Sequence, residues 1–413
     1  MKKISLIIFA LTMAACASTD RPTPFVTNDS RSTLNANPLT IPTSDWGSNA
    51  NITLEMALTA ARNNSPALKA AQFRIVAQQH AQRAAGQYPN PEITLGNEKI
   101  GLSQPVVLGG DLASQEKIAA AQLGIVEAEY QQAILQVDAT LRGAFASLLM
   151  LQLANGYQAQ RLVLTNQSLS IVRAQVDAGE IAHGATTTLL LEQASLQAQQ
   201  DALSLQLDSA RHQLATLVGA ASNDFVAIGE LNTIVKLPKL KELLANIEQL
   251  PAVAKSLSQA QVAKMQQDLA YAQAIPDFNI ELFYTADEQV EASVLFELPL
   301  SGRRRELHRS ARQQLLAAQS DADLSAQQMR IALQGMYAQL KQATNAYSRA
   351  STVVIGTLQQ QLLLTQSRFE AGDISMASLN DAESMLLSAQ ISSLEAWLNM
   401  ILAWQRVRSV VRT

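Results

Sequence analysis

Few side chains in this sequence have the types and the spacing that catalysis or metal binding requires. The histidines are scattered along 413 residues, and no acid or nucleophile accompanies them at a catalytic spacing. They are His80, His183, His212 and His308. No glycine-rich loop of the phosphate-binding kind occurs, so any energy for the protein's activity must come from elsewhere. We therefore predict that the protein is not an enzyme and that it has no cofactor and no metal site.

The single cysteine, Cys16, ends a segment with the pattern of an export signal. Two lysines precede an apolar run at residues 4–13, and Met-Ala-Ala-Cys then resembles the bacterial lipobox, in which the cysteine becomes a lipidated N-terminus. We predict a lipoprotein signal peptide at residues 1–16, with Cys16 as the lipidation site. By resemblance to sorted lipoproteins, Ala17 after the cysteine favours the outer membrane. The alternative is a signal peptide without lipid, in which the cysteine is incidental.

Composition and charge exclude several classes of function. The chain is 48% hydrophobic but only 16% charged, which suits helices that pack closely on several sides. A formal net charge of −4 gives no electrostatic footprint for nucleic acid or for an anionic membrane surface. Beyond the signal, no run approaches the roughly 18 apolar residues of a membrane helix. Any crossing of a bilayer is therefore predicted to use strands.

The ordered part of the chain is predicted to begin after a polar tether at residues 17–50, where prolines alternate with Ser, Thr, Asn and Asp. Order is predicted to begin at Ile52, with Thr53 as the N-cap of a first helix. Asn64-Ser65-Pro66 interrupts this helix, and a second helix is predicted at about 67–85.

Two proline-free stretches, at about 112–178 and 307–371, are predicted to be long helices. Apolar residues recur in both at intervals of three or four, and each stretch stops at a glycine, Gly179 or Gly372. These residues are Tyr130, Ile134, Val137, Leu141, Phe145, Leu148 and Leu151 in the first stretch, and Met329, Leu333, Met336, Leu340, Ala343 and Tyr347 in the second. A helix of about 65 residues is about 100 Å long, so such helices suit a protein that bridges a distance.

Matching landmarks predict that the chain is a tandem duplication. Pro66 and Pro91 recur 185 residues later, and Gly179 recurs after 193. We predict a first repeat at residues 51–235 and a second at 236–413, with about nine extra residues between the prolines of the second hairpin.

Alternating apolar residues predict one β-hairpin in each repeat, at about 91–108 and about 277–299. In the second hairpin the apolar positions alternate with polar ones such as Asn279 and Glu281. This pattern is typical of strands of about nine or ten residues with lipid on one side and water on the other. The predicted lipid-facing residues are Phe278, Ile280, Leu282, Tyr284, Val290, Val294 and Phe296. An ordinary half-buried hairpin is the alternative. The first hairpin is shorter, and we expect it to span a bilayer only if residues 106–108 join its strand.

Two further features of the second repeat have structural interpretations. Arg303-Arg304-Arg305 directly follow the last predicted strand, where we expect them to hold the junction between strand and helix. Contact with lipid head groups is the alternative. Trp397 and Trp404 are predicted to pack the final helix.

Several stretches, in this order and spacing, resemble the TolC-type outer-membrane efflux proteins, and among them the heavy-metal cation (CzcC-like) RND efflux group. They are LEMAL at 54–58, NNSPAL at 63–68, YPNPE at 88–92, LSQPVVLGG at 102–110 and the two Ala-Gly-acid-Ile helix ends. The likeness covers about residues 50–412. The chain departs from the cation group at Val107 and Asp111, where an acidic residue and a basic pair are usual.

The resemblance implies a mainly α fold with a small β part, in which a long coiled-coil helical barrel continues into transmembrane β-barrel strands. It implies a homotrimer in which each chain gives four strands to one twelve-stranded barrel. It also implies that the helices form a periplasmic tunnel, and that their hairpin tips meet an adaptor protein coupled to an inner-membrane RND pump.

Three positions carry site roles over from this family. Gly179 and Gly372 match tip glycines that face the adaptor, although an ordinary helix end is a compatible interpretation. Asp381 matches an acidic residue at the tunnel entrance, where three copies would attract cations. Ser378 replaces the family's second carboxylate there. A solvated helix face is the alternative for Asp381.

The sequence thus predicts a lipid-anchored channel of the bacterial outer membrane with most of its body in the periplasm. Its function would be that of a passive exit duct of a tripartite efflux pump, and the substrates would be heavy-metal cations. A duct for drug efflux or type I secretion, and a non-conducting coiled-coil lipoprotein scaffold, are the alternatives.

Overall fold

The structure, a computed structural model, describes residues 50–96, 99–229, 239–287, 289–297 and 302–411. Of the described residues, 77% are helical and a small part is sheet, as predicted. The predicted lipidation site Cys16, almost all of the predicted tether and the predicted repeat boundary near residue 235 lie outside the described residues. The lipid anchor and the division into two repeats therefore stay predictions.

The first half of the described chain contains four strands and four helices. In chain order they are β1 (Ala50–Thr53), α1 (Leu54–Asn64), α2 (Pro66–Ala85), β2 (Glu92–Leu95), β3 (Lys99–Val106), α3 (Asp111–Asp177), α4 (Gly184–Val218) and β4 (Phe225–Ile228). The rest of the described chain contains α5 (Leu240–Ala245), a short 3-10 turn (Ile247–Gln249), α6 (Pro251–Ala272), β5 (Phe278–Thr285), β6 (Val290–Phe296), α7 (Arg303–Ser348), a π-helical segment (Arg349–Val354), α8 (Ile355–Glu370) and α9 (Met376–Arg408).

The break between α1 and α2 lies at the predicted residues, and Thr53 is the N-cap as predicted. Thr53 caps α1, since its hydroxyl accepts the backbone N–H of Met56 at 3.4 Å. Ser65 ends α1 and caps α2 by accepting the N–H of Leu68 at 3.4 Å, and Pro66 is the first residue of α2. Proline suits this position because its missing N–H would have no partner in the first turn.

The first long helix is confirmed, and the second differs from the prediction. Helix α3 has 67 residues and is therefore about 100 Å long. The second long helix begins at Arg303 rather than near residue 307, and the segment Arg349–Val354 divides it into α7 and α8. This segment ends in three β-branched residues, which crowd the preceding helical turn, and a π-segment inserts one residue into the helical ladder.

Three clusters of buried side chains hold the helices together. One joins α1, α3 and α4 around Phe225, and a second joins α5, α6, α7 and α9 around Leu333 and Leu340. The third lies between α3 and α9, where Trp397 is 3% exposed. The predicted packing role of Trp397 is confirmed, and Trp404 packs at the edge of the same cluster.

Strands β1 and β4 were missed by the sequence analysis, which identified only the two hairpins. They form a parallel pair in which Ala50 lies beside Phe225 and Thr53 lies beside Ile228. Ile52, Phe225 and Ala227 are buried. Each strand has four residues, too few for an alternating pattern to stand out, and the two are distant in sequence.

Two described helices are long and apolar enough to cross a membrane by length and composition, contrary to the expectation from the sequence. An 18-residue stretch reaches a mean hydropathy of 1.4 in α3 and 1.2 in α9. The shares of these stretches buried inside the chain are 50% and 28%. The core helix of a soluble protein meets the same criteria, so this finding assigns neither helix to a membrane. Alanine and leucine raise hydropathy in helices that pack on several neighbours at once.

Candidate functional site

The two predicted hairpins join into one antiparallel sheet with the strand order β2-β3-β5-β6. The hairpins meet along β3 and β5, where Lys99 lies beside Thr285 and Val106 lies beside Phe278. Directly paired residues of antiparallel strands point to the same face, so the register assigns every side chain of the sheet to one of its two faces.

One face of the sheet is almost wholly apolar. Its side chains are Ile93, Leu95, Ile100, Leu102, Gln104, Val106, Phe278, Ile280, Leu282, Tyr284, Val290, Ala292, Val294 and Phe296. All seven residues predicted to face lipid are on it, and six of them are among the exposed large hydrophobic residues. The exposed fraction reaches 69% at Val290 and 77% at Leu95. A continuous apolar face of this kind needs a covering environment.

The opposite face is mostly polar. It carries Glu92, Thr94, Lys99, Gly101, Ser103, Pro105, Asn279, Glu281, Phe283, Thr285, Glu291, Ser293 and Leu295. The hydroxyl of Ser293 donates to a carboxylate oxygen of Glu281 at 3.1 Å. The ammonium of Lys99 lies 4.3 Å from the centre of the Phe283 ring, a cation–π arrangement. A water-exposed wall is therefore the environment that this face suits.

Gly101 leaves room for the aromatic ring of Phe283 beside β3. A Cβ atom at position 101 would come within 2.4 Å of that ring, closer than real Cβ atoms approach, so the ring would have to shift. Close packing, not an unusual backbone angle, therefore favours glycine at this position.

The strands are shorter than predicted. β5 has eight residues and β6 has seven, whereas nine or ten were expected. The predicted end of the hairpin near Leu298 lies outside the described residues. In the first hairpin, β2 has four residues and β3 has eight, and of residues 106–108 only Val106 joins the strand.

A tight junction connects β3 to α3. Gly109 and Gly110 have φ angles of 70° and 82°, and a Cβ at Gly109 would come within 2.4 Å of the Ala272 carbonyl oxygen. The carboxylate of Asp277, just before β5, accepts the backbone N–H of Leu108 at 2.7 Å. This bond ties the two hairpins together at the point where helix replaces strand.

Asp111 is a functional candidate at this junction that the sequence analysis noted only as a departure from the family. Its side chain is buried, and its Oδ1 has no hydrogen-bond partner. Burial, followed by the nearby charge of Asp277, raises the pKa of Asp111 above its ordinary value, while a hydrogen bond with Gln273 opposes the shift. Arg304 donates to the carbonyl of Ala274 at 2.6 Å, so it ties the start of α7 to the segment between α6 and β5. The role of the three arginines at the junction of β6 and α7 stays a prediction.

The two glycine turns have the same geometry. Gly179 and Gly372 have φ angles of 75° and 81°, and the residue after each donates its N–H to a carbonyl five residues earlier at 2.9 Å. This bonding closes a helix in a left-handed turn, which glycine adopts without strain. No heavy atom lies within 4 Å of a Cβ built at either glycine. Both turns are therefore open to a partner.

Asp381 lies near the start of α9 with its side chain exposed. The helix is capped by Ser375, which accepts the N–H of Ser378 at 3.3 Å. The neighbouring Asn380 is 2% exposed and donates to the Ser168 hydroxyl at 2.8 Å and to the Leu164 carbonyl at 3.4 Å. Asn380, which sequence reasoning missed, thus fixes the first turns of α9 on α3 and sets the direction of Asp381.

The histidines do not form a site with acidic side chains. Within the described residues, no group of three or more His, Cys, Asp or Glu side chains could hold a metal ion. His212 contacts the amide of Asn223 at 3.1 Å, and His308 packs edge-to-face on Tyr271. Both contacts are structural.

Comparison with known proteins identifies the fold. No protein-family model and no curated protein matches the sequence. Solved structures do match across 86% of the chain. The chain has the fold of outer-membrane channels.

One such structure is CusC, described by its transmembrane channel formation, with a TM-score of 0.72, 14% identity and 90% of that chain covered. Another is the Campylobacter jejuni outer membrane channel CmeC, with a TM-score of 0.68, 13% identity and 84% of that chain covered. A membrane protein from Pseudomonas aeruginosa matches with a TM-score of 0.72, 15% identity and 91% of that chain covered. These structures are channels or membrane proteins and not enzymes.

Proposed function

We propose that this protein is the outer-membrane channel of a tripartite efflux pump and conducts substrates passively from the periplasm to the outside. The observation that carries the proposal is the four-stranded sheet, with one exposed apolar face and one polar face. A membrane barrel wall needs this division, because lipid covers one side and water fills the other. The fold shared with outer-membrane channels supports the same interpretation.

A single chain cannot close this sheet. The outer edges of β2 and β6 have no paired strand among the described residues, and unpaired edges are not tolerated in lipid. We propose that three copies close one barrel of twelve strands, each copy giving four. The long helices α3 and α7–α8 would then continue as a tunnel about 100 Å deep.

The open glycine turns are proposed to be the contact points for a periplasmic adaptor protein. Gly179 and Gly372 end the long helices with matching backbone geometry and no neighbouring side chain. An adaptor would couple the channel to an inner-membrane RND pump, since the sequence offers no nucleotide-binding loop to drive transport.

Heavy-metal cations are the proposed substrate class. Asp381 supports a cation preference, because three exposed carboxylates around one entrance would attract cations and repel anions. The resemblance of the sequence to the metal-cation group favours the same class. The histidine positions provide no binding cluster that would retain a metal in the channel.

Electron microscopy and planar bilayers test the channel proposal together. Detergent-purified protein should appear in projection as a threefold hollow rod and should conduct ions after insertion into a bilayer. A compact monomer without conductance would refute the proposal and favour a scaffold.

For substrates, deletion of the gene should lower resistance to zinc, cobalt, cadmium, copper or silver salts but not to dyes.

A further inference from the structure

A cavity rich in basic groups lies between α1, α2, α3 and α9, away from the sheet and the glycine turns. Its volume is about 620 Å³, within the usual range for small-molecule sites. Four cationic side chains line it, namely Arg62, Lys69, Arg142 and Arg408, and the only acidic one is Asp138. We call it the basic cavity.

The one carboxylate of the basic cavity is already occupied. The Nε of Arg62 donates to Oδ1 of Asp138 at 2.7 Å, and a second guanidinium nitrogen donates to Oδ2. Such a two-bond pair satisfies both partners. Arg142 and Arg408 therefore share the cavity without an acid of their own among its lining residues.

Arg142 is poorly satisfied in its own surroundings. It is half-buried on α3, and its Nε is enclosed without a hydrogen-bond partner. Burial, and then the nearby charge of Arg408, lower the pKa of Arg142, and the attraction of Asp138 only partly opposes this. Enclosing an unpaired donor is costly. Arg142 also lines the basic cavity, where a bound anion would offset the repulsion between its charge and that of Arg408.

Gln405 on α9 is 8% exposed and also lines the basic cavity. Its Oε1 atom is enclosed without a hydrogen-bond donor, so that atom does not reach the open space of the cavity. The cavity thus offers guanidinium donors for anionic oxygens. The hydroxyl of Tyr130 and the amide of Gln131 add polar contacts, and Leu68 and Ile134 add an apolar floor.

We propose that the basic cavity binds a phosphate group, held by Arg142 and Arg408. Hydrogen phosphate and phosphate esters provide several anionic oxygens to match two guanidinium groups. The cavity is larger than phosphate alone, so the remainder of a phosphate-bearing molecule fits against Leu68 and Ile134. This site is independent of the proposed transport function.

Isothermal titration of the full-length protein in detergent, with inorganic phosphate against a chloride background of constant ionic strength, tests the site. We expect saturable binding, and at least about tenfold weaker binding in Arg142→Gln and in Arg408→Gln, since each removes a charge-assisted contact. Arg330→Gln is the matched control, because Arg330 is exposed on α7 outside the cavity. It should bind phosphate as the unmodified protein does.

The variants also report on folding. Arg142→Gln removes a half-buried cation that has no acid partner of its own, so its melting temperature in chloride should be unchanged or higher, and phosphate should no longer raise it. Equal phosphate binding in all four proteins would overturn the proposal, as would no binding. If Arg142→Gln instead reduces the oligomer size without any effect on phosphate binding, the arginines hold a neighbouring copy and the proposal fails.

Titration with a short-chain phosphatidylglycerol distinguishes the two sources of the phosphate group. Tighter binding than that of inorganic phosphate identifies a lipid headgroup, and weaker binding identifies a soluble phosphate.

Discussion

Two neighbouring residues of β6 allow a test of which face of the sheet contacts lipid. The same residue, arginine, is introduced at each position in turn. Val294 lies on the apolar face, paired with Ile280, and is 60% exposed. Ser293 lies on the opposite face, where it is exposed and bonded to Glu281. Val294→Arg and Ser293→Arg therefore add the same charge to the same strand, on opposite sides of the proposed barrel wall.

The expected cost follows from the position of Val294 along the strand. It is four residues from Val290, which is about 13 Å at the usual strand rise and about 10 Å of depth at a barrel tilt of about 40°. An apolar band is about 25 Å tall, so Val294 lies near its middle. Arginine at that depth destabilises a barrel by about 2–4 kcal/mol per copy. Ser293→Arg should cost at most about 1 kcal/mol, because it remains in water and can pair with Glu281.

Urea unfolding of protein refolded into lipid vesicles, with the folded fraction measured by the gel mobility of unheated samples, gives the two free energies. Val294→Arg should lower the unfolding midpoint strongly and Ser293→Arg only slightly. If both variants unfold at the same urea concentration, or if Ser293→Arg is the less stable, β6 does not face lipid in the way proposed.

Three further perturbations address the turn, the entrance and the strand–helix junction. Gly372→Arg should abolish efflux while trimers persist, because the site is open and the positive φ costs only about 1–2 kcal/mol; resistance assays and light scattering measure the two effects. Asp381→Ala should weaken cation selectivity in planar bilayers, measured as a reversal potential in a salt gradient. Asp111→Asn should raise the melting temperature at neutral pH but not in acid. The raised pKa means that the folded chain binds the extra proton, so the stability contributed by Asp111 falls as pH rises from about 4 through that pKa.

Controls for these variants come from the same chain. Gly335→Arg adds the same side chain to an exposed helical glycine of α7 with no neighbouring atoms, and it should leave efflux intact. Asp323→Ala removes an exposed carboxylate of α7, and its selectivity should match that of the unmodified channel. Unchanged resistance in Gly372→Arg would remove the adaptor assignment. If the melting temperature of Asp111→Asn differs from that of the parent protein by the same amount at every pH, burial imposes no charge penalty on Asp111.

The long helices could be predicted because their signals are local. Leu141, Phe145 and Leu148 repeat at helical spacing and are all buried in one cluster. The glycine ends could be predicted for the same reason, since a left-handed turn is decided by one residue. The faces of β5 followed from simple alternation, and the register with β6 keeps its apolar residues together.

Features that depend on distant parts of the chain could not be predicted. The β1–β4 pair joins Ile52 to Ala227, and neither four-residue strand has a pattern of its own. Burial, and then the charge of Asp277, raise the pKa of Asp111, and Asp277 itself accepts the N–H of Leu108, 169 residues away in sequence. The pairing of Asn380 with Ser168 spans 212 residues. A single sequence contains no local trace of such contacts.

The residues that break the local pattern are the better guide to function in this fold. Arg142 stands between buried Leu141 and Gly143 on α3, and Asp111 is enclosed at the start of the same helix. Both have pKa values shifted against their charged forms, so both lower the stability of the folded chain. Leu148 and Leu333 are fully buried and follow the pattern; truncating either to alanine should cost about 2–5 kcal/mol. Neutral replacements of Arg142 and Asp111 should cost nothing, and any activity they remove is then a measure of function rather than of folding.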